Sequence, residues 1–304
     1  MGARNPGEPW VDSEPGHAHG VFSSPVPELP EVETVARLLA PDLVGRCVRE
    51  VSIDWPRSPT ERGPAAFRRA TRGARIERVG RRGKYLIFDL TRDGRPAGAL
   101  VGHLRMTGRM EVVDGDQAPS PWRRVSLGLD DGRRFDFVDP RKFGRLEPVK
   151  NAAERLSKLG PEPLSEELDA DWFQAEVRLR KRQLKPLLLD QGFLAGLGNI
   201  YVDESLFRAG LHPLRRSDRV PPAKARLLFG EIRATLSEAI EREGSSFDAF
   251  YRTPTGQPGS YQAQFQVYGR QGQPCRRCGR SITKLVVGQR GTHLCTRCQP
   301  APRG

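Results

Sequence analysis

The sequence predicts an α+β protein of two domains, and three observations carry that prediction. Between residues 45 and 150 short apolar runs alternate with turn signals, as the strands of an antiparallel sandwich do. From 171 to 250 the chain reads as helices punctuated by glycine. After 261 two cysteine pairs, Cys275/Cys278 and Cys295/Cys298, stand sixteen residues apart, a fitting length for a β-hairpin. A chain of 304 residues is long enough to bury more than one core. Its net charge of +13 points to a polyanionic partner, with nucleic acid first among the candidates. No apolar run reaches the length of a membrane span. Residues 1–26 lack the charged-then-apolar pattern of a signal peptide. A cytoplasmic, nucleoid-associated protein that does not enter membranes is therefore expected, and no second apolar interface argues against a monomer.

Taken in order, residues 1–26 hold Pro6, Pro9, Pro15, Pro25 and four glycines, and read as a disordered extension. Val26 stands directly before Pro27. The valine codon GTG also serves bacteria as a start codon, so translation is expected to begin at residue 26. Loss of the initiator methionine would leave Pro27 as the amino terminus. An amphipathic helix follows. Pro30 suits a first-turn position, where its missing N–H is no loss. Glu31 and Glu33 suit the positive end of the helix dipole. Val32, Val35, Ala36 and Leu39 form the apolar stripe.

The strand-like stretch follows, with Val48, Val51 and Ile53, the run Tyr85–Phe88, the run Ala99–Leu104, and the runs from Val125 to Phe137 broken by Asp130-Asp131-Gly132. The first helix is expected to pack on this sandwich, which spans 27–150. Two basic loops interrupt it, Arg81-Arg82-Gly83-Lys84 and Asp139-Pro140-Arg141-Lys142-Phe143-Gly144. A basic loop is commonly only a solvated loop; an aromatic set among bases also suits phosphate contact and insertion into a base stack. Residues 151–170, with Gly160-Pro161-Glu162-Pro163, form a hinge. The helical domain spans 171–260. It has five basic residues among the nine from Val177 to Lys185, and a core at Leu187-Leu188-Leu189. Asn199 is expected to cap a helix Ile200–Ala209 closed by Gly210, and the glycine-rich turn before it offers N–H groups to an anion. In the hairpin, 261–300, the four cysteines have the spacing of a four-thiolate zinc site. One structural zinc would leave no open coordination position. Cys47 is expected to be a buried structural thiol, and His293 a non-ligand.

The stretch Pro27-Glu28-Leu29-Pro30-Glu31-Val32-Glu33-Thr34 resembles the amino terminus of the formamidopyrimidine-DNA glycosylases, the bacterial repair enzymes also called MutM. The resemblance runs in order through Arg82–Leu86, His103–Gly108, Asp139–Gly144, Leu159–Leu164, Gly196–Tyr201, Val267–Arg270 and the four cysteines, covering nearly all of 27–299. It implies a β-sandwich carrying the catalytic helix, a helix–two-turn–helix bundle and a zinc-ribbon-like hairpin, with double-stranded DNA in the cleft between. It implies removal of oxidised purines, 8-oxoguanine and formamidopyrimidines, followed by β,δ-elimination. In this reading Pro27 is the amine nucleophile that forms a Schiff base, Glu28 the general acid–base, and Glu31 the carboxylate supporting them. Lys84 holds phosphate near the lesion. Arg290, in the hairpin, does the same. Met106, Arg141 and Phe143 fill the space of the flipped base, while Lys142 and Asn199 bind the DNA backbone.

Three departures accompany the resemblance. An extension precedes Pro27, whose nitrogen as an amide would have no lone pair for attack. Pro121-Trp122-Arg123-Arg124 stands where a histidine-containing basic segment is expected. Phe247–Tyr261, expected to cover the flipped base, is poorly diagnostic. Two other readings compete. Endonuclease VIII-like enzymes share the architecture but prefer oxidised pyrimidines, and have glycine in the place of Leu29. A non-catalytic lesion-binding protein would need none of the group Pro27, Glu28, Glu31 and Lys84.

Overall fold

The computed structural model describes residues 26–56, 63–246 and 251–302. The extension 1–25 lies outside these residues, as do 247–250 of the stretch expected to cover the base.

Helix α1 spans Leu29–Leu43 and has Pro30 in its first turn. Its stripe Val32, Val35, Ala36, Leu39 and Leu43 is buried against the sandwich core. Leu29 is buried in the other core, that of the carboxy-terminal helices, and its N–H donates to the Gly196 carbonyl at 3.0 Å. One helix therefore carries the first turn into one domain and the next three turns into the other.

The sandwich follows the expected pattern. Its elements are β1 (Val48–Ile53), α2 (Gly63–Thr71), β2 (Arg75–Arg82), β3 (Tyr85–Arg92), β4 (Arg95–His103), β5 (Arg109–Asp114), β6 (Arg123–Leu129), β7 (Arg133–Val138) and β8 (Arg145–Val149). They form two antiparallel four-stranded sheets, ordered β1-β6-β7-β5 and β2-β3-β4-β8. Phe88 and Phe135 meet between the sheets, ring centroids 5.3 Å apart. The strands that the apolar runs named above do not include, β2, β5 and β8, are all edge strands. Edges tolerate charge because one side faces solvent, and β2 buries only Ile76. Helix α2 is a correction to the strand-like reading of this stretch: Phe67 is fully buried and anchors it to the same core.

The second half holds α3 (Ala152–Arg155), α4 (Ala170–Leu179), α5 (Leu184–Leu188), α6 (Asn199–Ala209), α7 (Pro222–Glu241), β9 (Thr283–Val287) and β10 (Arg290–Leu294). Gly210 closes α6 in the left-handed region, as expected. The connector at Gly160 is packed against the turn that leads into α6. Gly160 N–H donates to the Gln191 carbonyl at 2.9 Å, and a Cβ there would lie 2.5 Å from the Gly192 carbonyl. Cys47 is half-buried, less enclosed than expected, because it bridges to the edge strand β2 through Arg75. Among the described residues no helix is long and apolar enough to cross a membrane.

Candidate active site

Where α1 meets the turn before α6, a cavity of about 540 Å³ opens between the domains. Glu28, Lys84, Met106, Asn199 and Arg290 line it together, with Val26, Tyr85, His103 and Tyr268. These residues come from distant parts of the sequence, and the fold makes them neighbours.

Glu28 is 2% exposed. Its carboxylate accepts the N–H groups of Ile200 at 3.0 Å and Tyr201 at 3.5 Å, in the first turn of α6. The anion expected at this helix amino terminus is thus a side chain of the protein itself. That corrects the expected cap. With Glu28 on the free N–H groups, Asn199 is the first helical residue rather than the cap, and Gly198 precedes it. The Asn199 amide instead donates to the Gly291 carbonyl of the hairpin at 2.9 Å. Gly198 is required here, since a Cβ would collide with the Glu28 carboxyl. Burial pushes the Glu28 carboxyl up to about 7; Lys84 opposes this, Glu31 adds to it, and the two N–H groups oppose it. Near neutrality this carboxyl can both give and take a proton.

Glu31 is equally buried but fully served. It accepts Glu28 N–H at 2.9 Å, Ser245 N–H at 2.8 Å and Tyr201 O–H at 2.5 Å. Burial, with Glu31 beside it, holds the Tyr201 phenol well above its ordinary range, so it remains a donor. Glu31 therefore fixes the peptide N–H of Glu28 and ties α1 to α6 and to the end of α7. Pro27, between Glu28 and the cavity-lining Val26, is buried.

Lys84 sits at the β2–β3 turn, half-buried. Burial pushes its ammonium below the usual lysine range, Arg290 adding to this while Glu28 and Glu31 oppose it. The turn is clamped by Glu162 of the connector, which accepts from Gly83 N–H and from Arg81 at 2.5 Å. His103 shares the cavity. Burial, then Arg105 and Lys84, push its imidazole down to about 3. Its Nδ1 accepts Arg105 N–H at 3.0 Å, which assigns the proton of the neutral ring to Nε2.

Arg141, Lys142 and Phe143 do not line the cavity; they stand exposed on the β7–β8 loop. The Arg141 guanidinium lies 5.0 Å from the Phe143 ring centroid, and Phe143 is 49% exposed. What joins this loop to Met106 is Asp139, which is 1% exposed. Its carboxylate accepts Thr107 O–H at 2.5 Å, Arg141 N–H at 3.2 Å and Gly144 N–H at 2.7 Å. Met106 is half-buried at the cavity wall, not a core methionine. In the sequence Asp139 is only the first residue of a basic loop. An acid opening such a loop is the signal that could have found it.

In the segment that carries β9 and β10 the four cysteine sulfurs lie within 4.8 Å of one another. Cys275–Cys298 and Cys278–Cys295 are 3.9 and 3.4 Å apart, close to the roughly 3.8 Å that a tetrahedral zinc with ~2.3 Å bonds requires. The donor set fits one structural zinc, which would supply cross-linking and no open position. His293 stays out of the cluster: its peptide N–H donates to Asp203 at 2.8 Å, and its ring Nδ1 lies 3.5 Å from the same carboxylate. Two buried carboxylates of α6 hold the hairpin region. Asp203 pairs with Lys185 at 2.6 Å, both nearly fully buried. Lys185 also donates to the Gly291 carbonyl at 3.1 Å. Glu204 accepts Gln266, Val267 and Tyr268 N–H groups at 2.8–3.0 Å. The sequence sets Lys185 in a basic run, whereas the fold buries it in the core. Arg290, next to Gly291, is exposed at the cavity mouth.

The chain matches three family descriptions in order: formamidopyrimidine-DNA glycosylase N-terminal domain at residues 26–146, formamidopyrimidine-DNA glycosylase H2TH domain at 159–250, and the zinc finger found in FPG and IleRS at 272–301. Formamidopyrimidine-DNA glycosylase of Symbiobacterium thermophilum is 44% identical over 284 residues, 92% of this chain and 91% of that one. That of Herpetosiphon aurantiacus is 42% identical over 277 residues, 90% of this chain and all of that one. The crystal structure of MutM (FPG) from Thermus thermophilus superposes with a TM-score of 0.80 at 42% identity, covering 91% of this chain and all of that one. A Lactococcus lactis FPG mutant in complex with Fapy-dG containing DNA gives 0.82 at 36%, covering 90% of this chain and all of that one.

Proposed function

The chain belongs to the formamidopyrimidine-DNA glycosylase family and is a DNA repair glycosylase, and on that premise we propose that it excises oxidised purines and then cleaves the strand as a lyase. The single observation that carries the mechanism is Glu28, a buried carboxyl raised to about 7 at the floor of the cavity and next to Pro27.

Extruding a base costs a few kcal/mol. Met106, Arg141 and Phe143 offset part of that by occupying the vacated stack, two of them from an exposed loop that Asp139 holds rigid. Arg290 and Lys84 hold the phosphates at the lesion nucleotide, and the backbone there sits in an electropositive cleft. The flipped nucleotide then meets Pro27. Its secondary amine attacks the sugar C1′ as the C1′–N bond to the base breaks, the proton lost by the amine neutralises the departing base, and Glu28 delivers its proton to the ring oxygen as the sugar opens to the iminium. The resulting iminium draws electrons from the sugar. Loss of the C2′ proton expels the 3′ phosphate, and a second elimination expels the 5′ phosphate. Glu28 is suited to both halves because its proton affinity lies near the working pH. Glu31 acts through Glu28 and the first turn of α1, which makes it a positioning residue. The reading requires the Val26–Pro27 peptide bond to be absent in the working enzyme, since an amide nitrogen does not attack.

Borohydride trapping on a duplex with one 8-oxoguanine opposite cytosine tests this, with one protein beginning at Pro27 and another at Met1. A covalent adduct with the Pro27 form alone is expected. No adduct with either would remove the lyase reading. An adduct with the intact Met1 form would transfer the amine role to a lysine such as Lys84.

A further inference from the structure

Besides the residues already given roles, Gln191 lines the cavity, from the turn between α5 and α6. Its carboxamide is spent within that turn. Nε2 donates to the Leu189 carbonyl at 3.0 Å and to the Leu197 carbonyl at 2.8 Å, and Oε1 accepts Gly196 N–H at 3.0 Å. Two carbonyls at one end and an N–H at the other assign which end of the amide is nitrogen. Both N–H donors are used, so the side chain has none left with which to read a base in the cavity.

The turn tied in this way is the floor on which three parts of the molecule meet. From α1, Leu29 N–H donates to the Gly196 carbonyl at 3.0 Å, and the Glu28 carboxyl sits against Gly198. Gly196 has a φ of +105°, and a Cβ there would lie 2.6 Å from the Leu29 side chain. From the β2–β3 turn, Gly83 comes so close that a Cβ on it would lie 3.3 Å from the Ala195 Cβ, and Lys84 is the next residue. From the connector, the Pro161 carbonyl accepts Ala195 N–H at 3.0 Å, and Gly160 N–H donates to the Gln191 carbonyl at 2.9 Å. In packing this close, a shift of the turn is passed on to Glu28 and to the turn that carries Lys84.

Resting on the function proposed above, we infer that Gln191 is a positioning residue of base excision, whose carboxamide holds the turn 195–198 in the shape that seats Glu28 on the first turn of α6 with Lys84 beside it. The turn offers two acceptors and one donor, and a carboxamide matches that set. A glutamate of the same size would set a carboxylate against two carbonyls. Gln191 and Gly198 both line the cavity, so truncation at 191 admits water toward the Glu28 carboxyl, whose burial is the largest influence on its proton affinity.

The test compares single-turnover excision across pH, on a duplex with one 8-oxoguanine, by the protein beginning at Pro27 and by its Gln191→Ala and Gln191→Glu variants. The charged and titratable groups acting on Glu28 are Lys84, Glu31, Lys185 and Tyr201, and Gln191→Ala leaves all four in place. Excision by Gln191→Ala is expected to slow about tenfold. Its affinity for a duplex with a tetrahydrofuran abasic-site analogue should stay within about twofold of the unaltered protein. The alkaline limb of its pH–rate profile should move from about 7 toward 4.5. Gln191→Glu should be at least as slow as Gln191→Ala, whereas a side chain that only filled space would be replaced by glutamate without loss. Normal excision by either variant would overturn the inference. So would slow excision by Gln191→Ala with the alkaline limb unmoved, which would reduce the contact to a matter of stability. Should Gln191→Ala fail to fold, Gln191→Glu decides. If the unaltered protein excised nothing, the functional reading itself would fall, and the role of Gln191 with it.

Discussion

Glu28 and Asp139 lie in different parts of the molecule and use the same device, a buried carboxylate that collects backbone N–H groups, for opposite ends. Asp139 receives two backbone N–H groups and one hydroxyl, at 2.5–3.2 Å, and holds an exposed loop still. Glu31, beside Glu28, is likewise surrounded by donors. Glu28 receives the Ile200 and Tyr201 N–H groups, the second at 3.5 Å, and faces the Glu31 N–H in a capping box, yet burial pushes its proton affinity up to neutrality. Donors alone do not set the difference, since Glu204 accepts three N–H groups and burial still pushes its carboxyl up; what sets Glu28 apart is that its raised carboxyl lines the cavity beside Lys84. In the proposed reaction the exposed loop would carry the contact, and the buried end of α1 the chemistry.

The sharpest way to break this comparison is Glu28→Gln. The amide keeps the acceptor for Ile200 and removes the proton, so base excision should fall by about 10²–10⁴-fold, the range of general acid–base catalysis. Binding of lesion DNA should persist. Single-turnover excision and a binding titration check this, and normal turnover would return Glu28 to the scaffold class.

Removing zinc attacks the opposite wall. Structural zinc contributes on the order of 10 kcal/mol to folding in small zinc modules, and the two-stranded hairpin has little else of its own. Cys295→Ser or a strong chelator should therefore unfold β9–β10, displace Arg290 and cost DNA affinity, while the sandwich remains folded. Zinc content and affinity measured together decide it; unchanged affinity without metal would show the hairpin wall to be dispensable.

Asp139→Ala should leave the Arg141 and Gly144 N–H groups and the Thr107 hydroxyl without their acceptor, at about 2–3 kcal/mol of stability. It should also reduce lesion excision more than nonspecific binding, because Met106 and Phe143 lose their common support. Phe143→Ala, at a half-exposed site, should reproduce the excision defect with almost no change in thermal stability. Equal losses of specific and nonspecific binding in Phe143→Ala would make that ring mere packing.

The same contrast has a pH signature. The carboxyl of Glu28 moves from its ordinary 4.5 up to about 7 on folding. The folded state then binds a proton more tightly than the unfolded chain, so the neutral form's contribution to stability is complete below pH 4.5 and is lost as pH rises through 7. Glu28→Gln does not titrate. Its stability relative to the unaltered protein should therefore rise between pH 4.5 and 7, by at most ~3.5 kcal/mol, since each tenfold change in proton affinity is worth ~1.4 kcal/mol. Thermal unfolding at pH 4.5 and pH 8 measures it, and a difference that stays flat would mean that folding leaves the proton affinity of Glu28 where it was.

Much of this protein follows from sequence alone, for physical reasons that are local. Apolar alternation marks β3, β4, β6 and β7 because inner strands must bury a face. The first-turn proline and the stripe from Val32 to Leu39 mark α1. Cysteine spacing marks the zinc cluster because four thiolates around one ion admit few chain geometries. The motifs from Glu28 to Phe143 mark the candidate site residues. Tertiary structure decided the rest. Edge strands β2, β5 and β8 are short or charge-rich and bury one residue each, so they stand out only once their pairing is known. That the amino terminus of α6 takes Glu28 rather than an outside anion depends on a contact across 172 residues. That Lys185 is buried against Asp203, while Arg123 and Arg124 turn inward and Trp122 outward, depends on which partners the fold brings near. The proton affinity of Glu28 is set in the same way. Burial and neighbouring charge are properties of the packed molecule, and no residue carries them in its own identity.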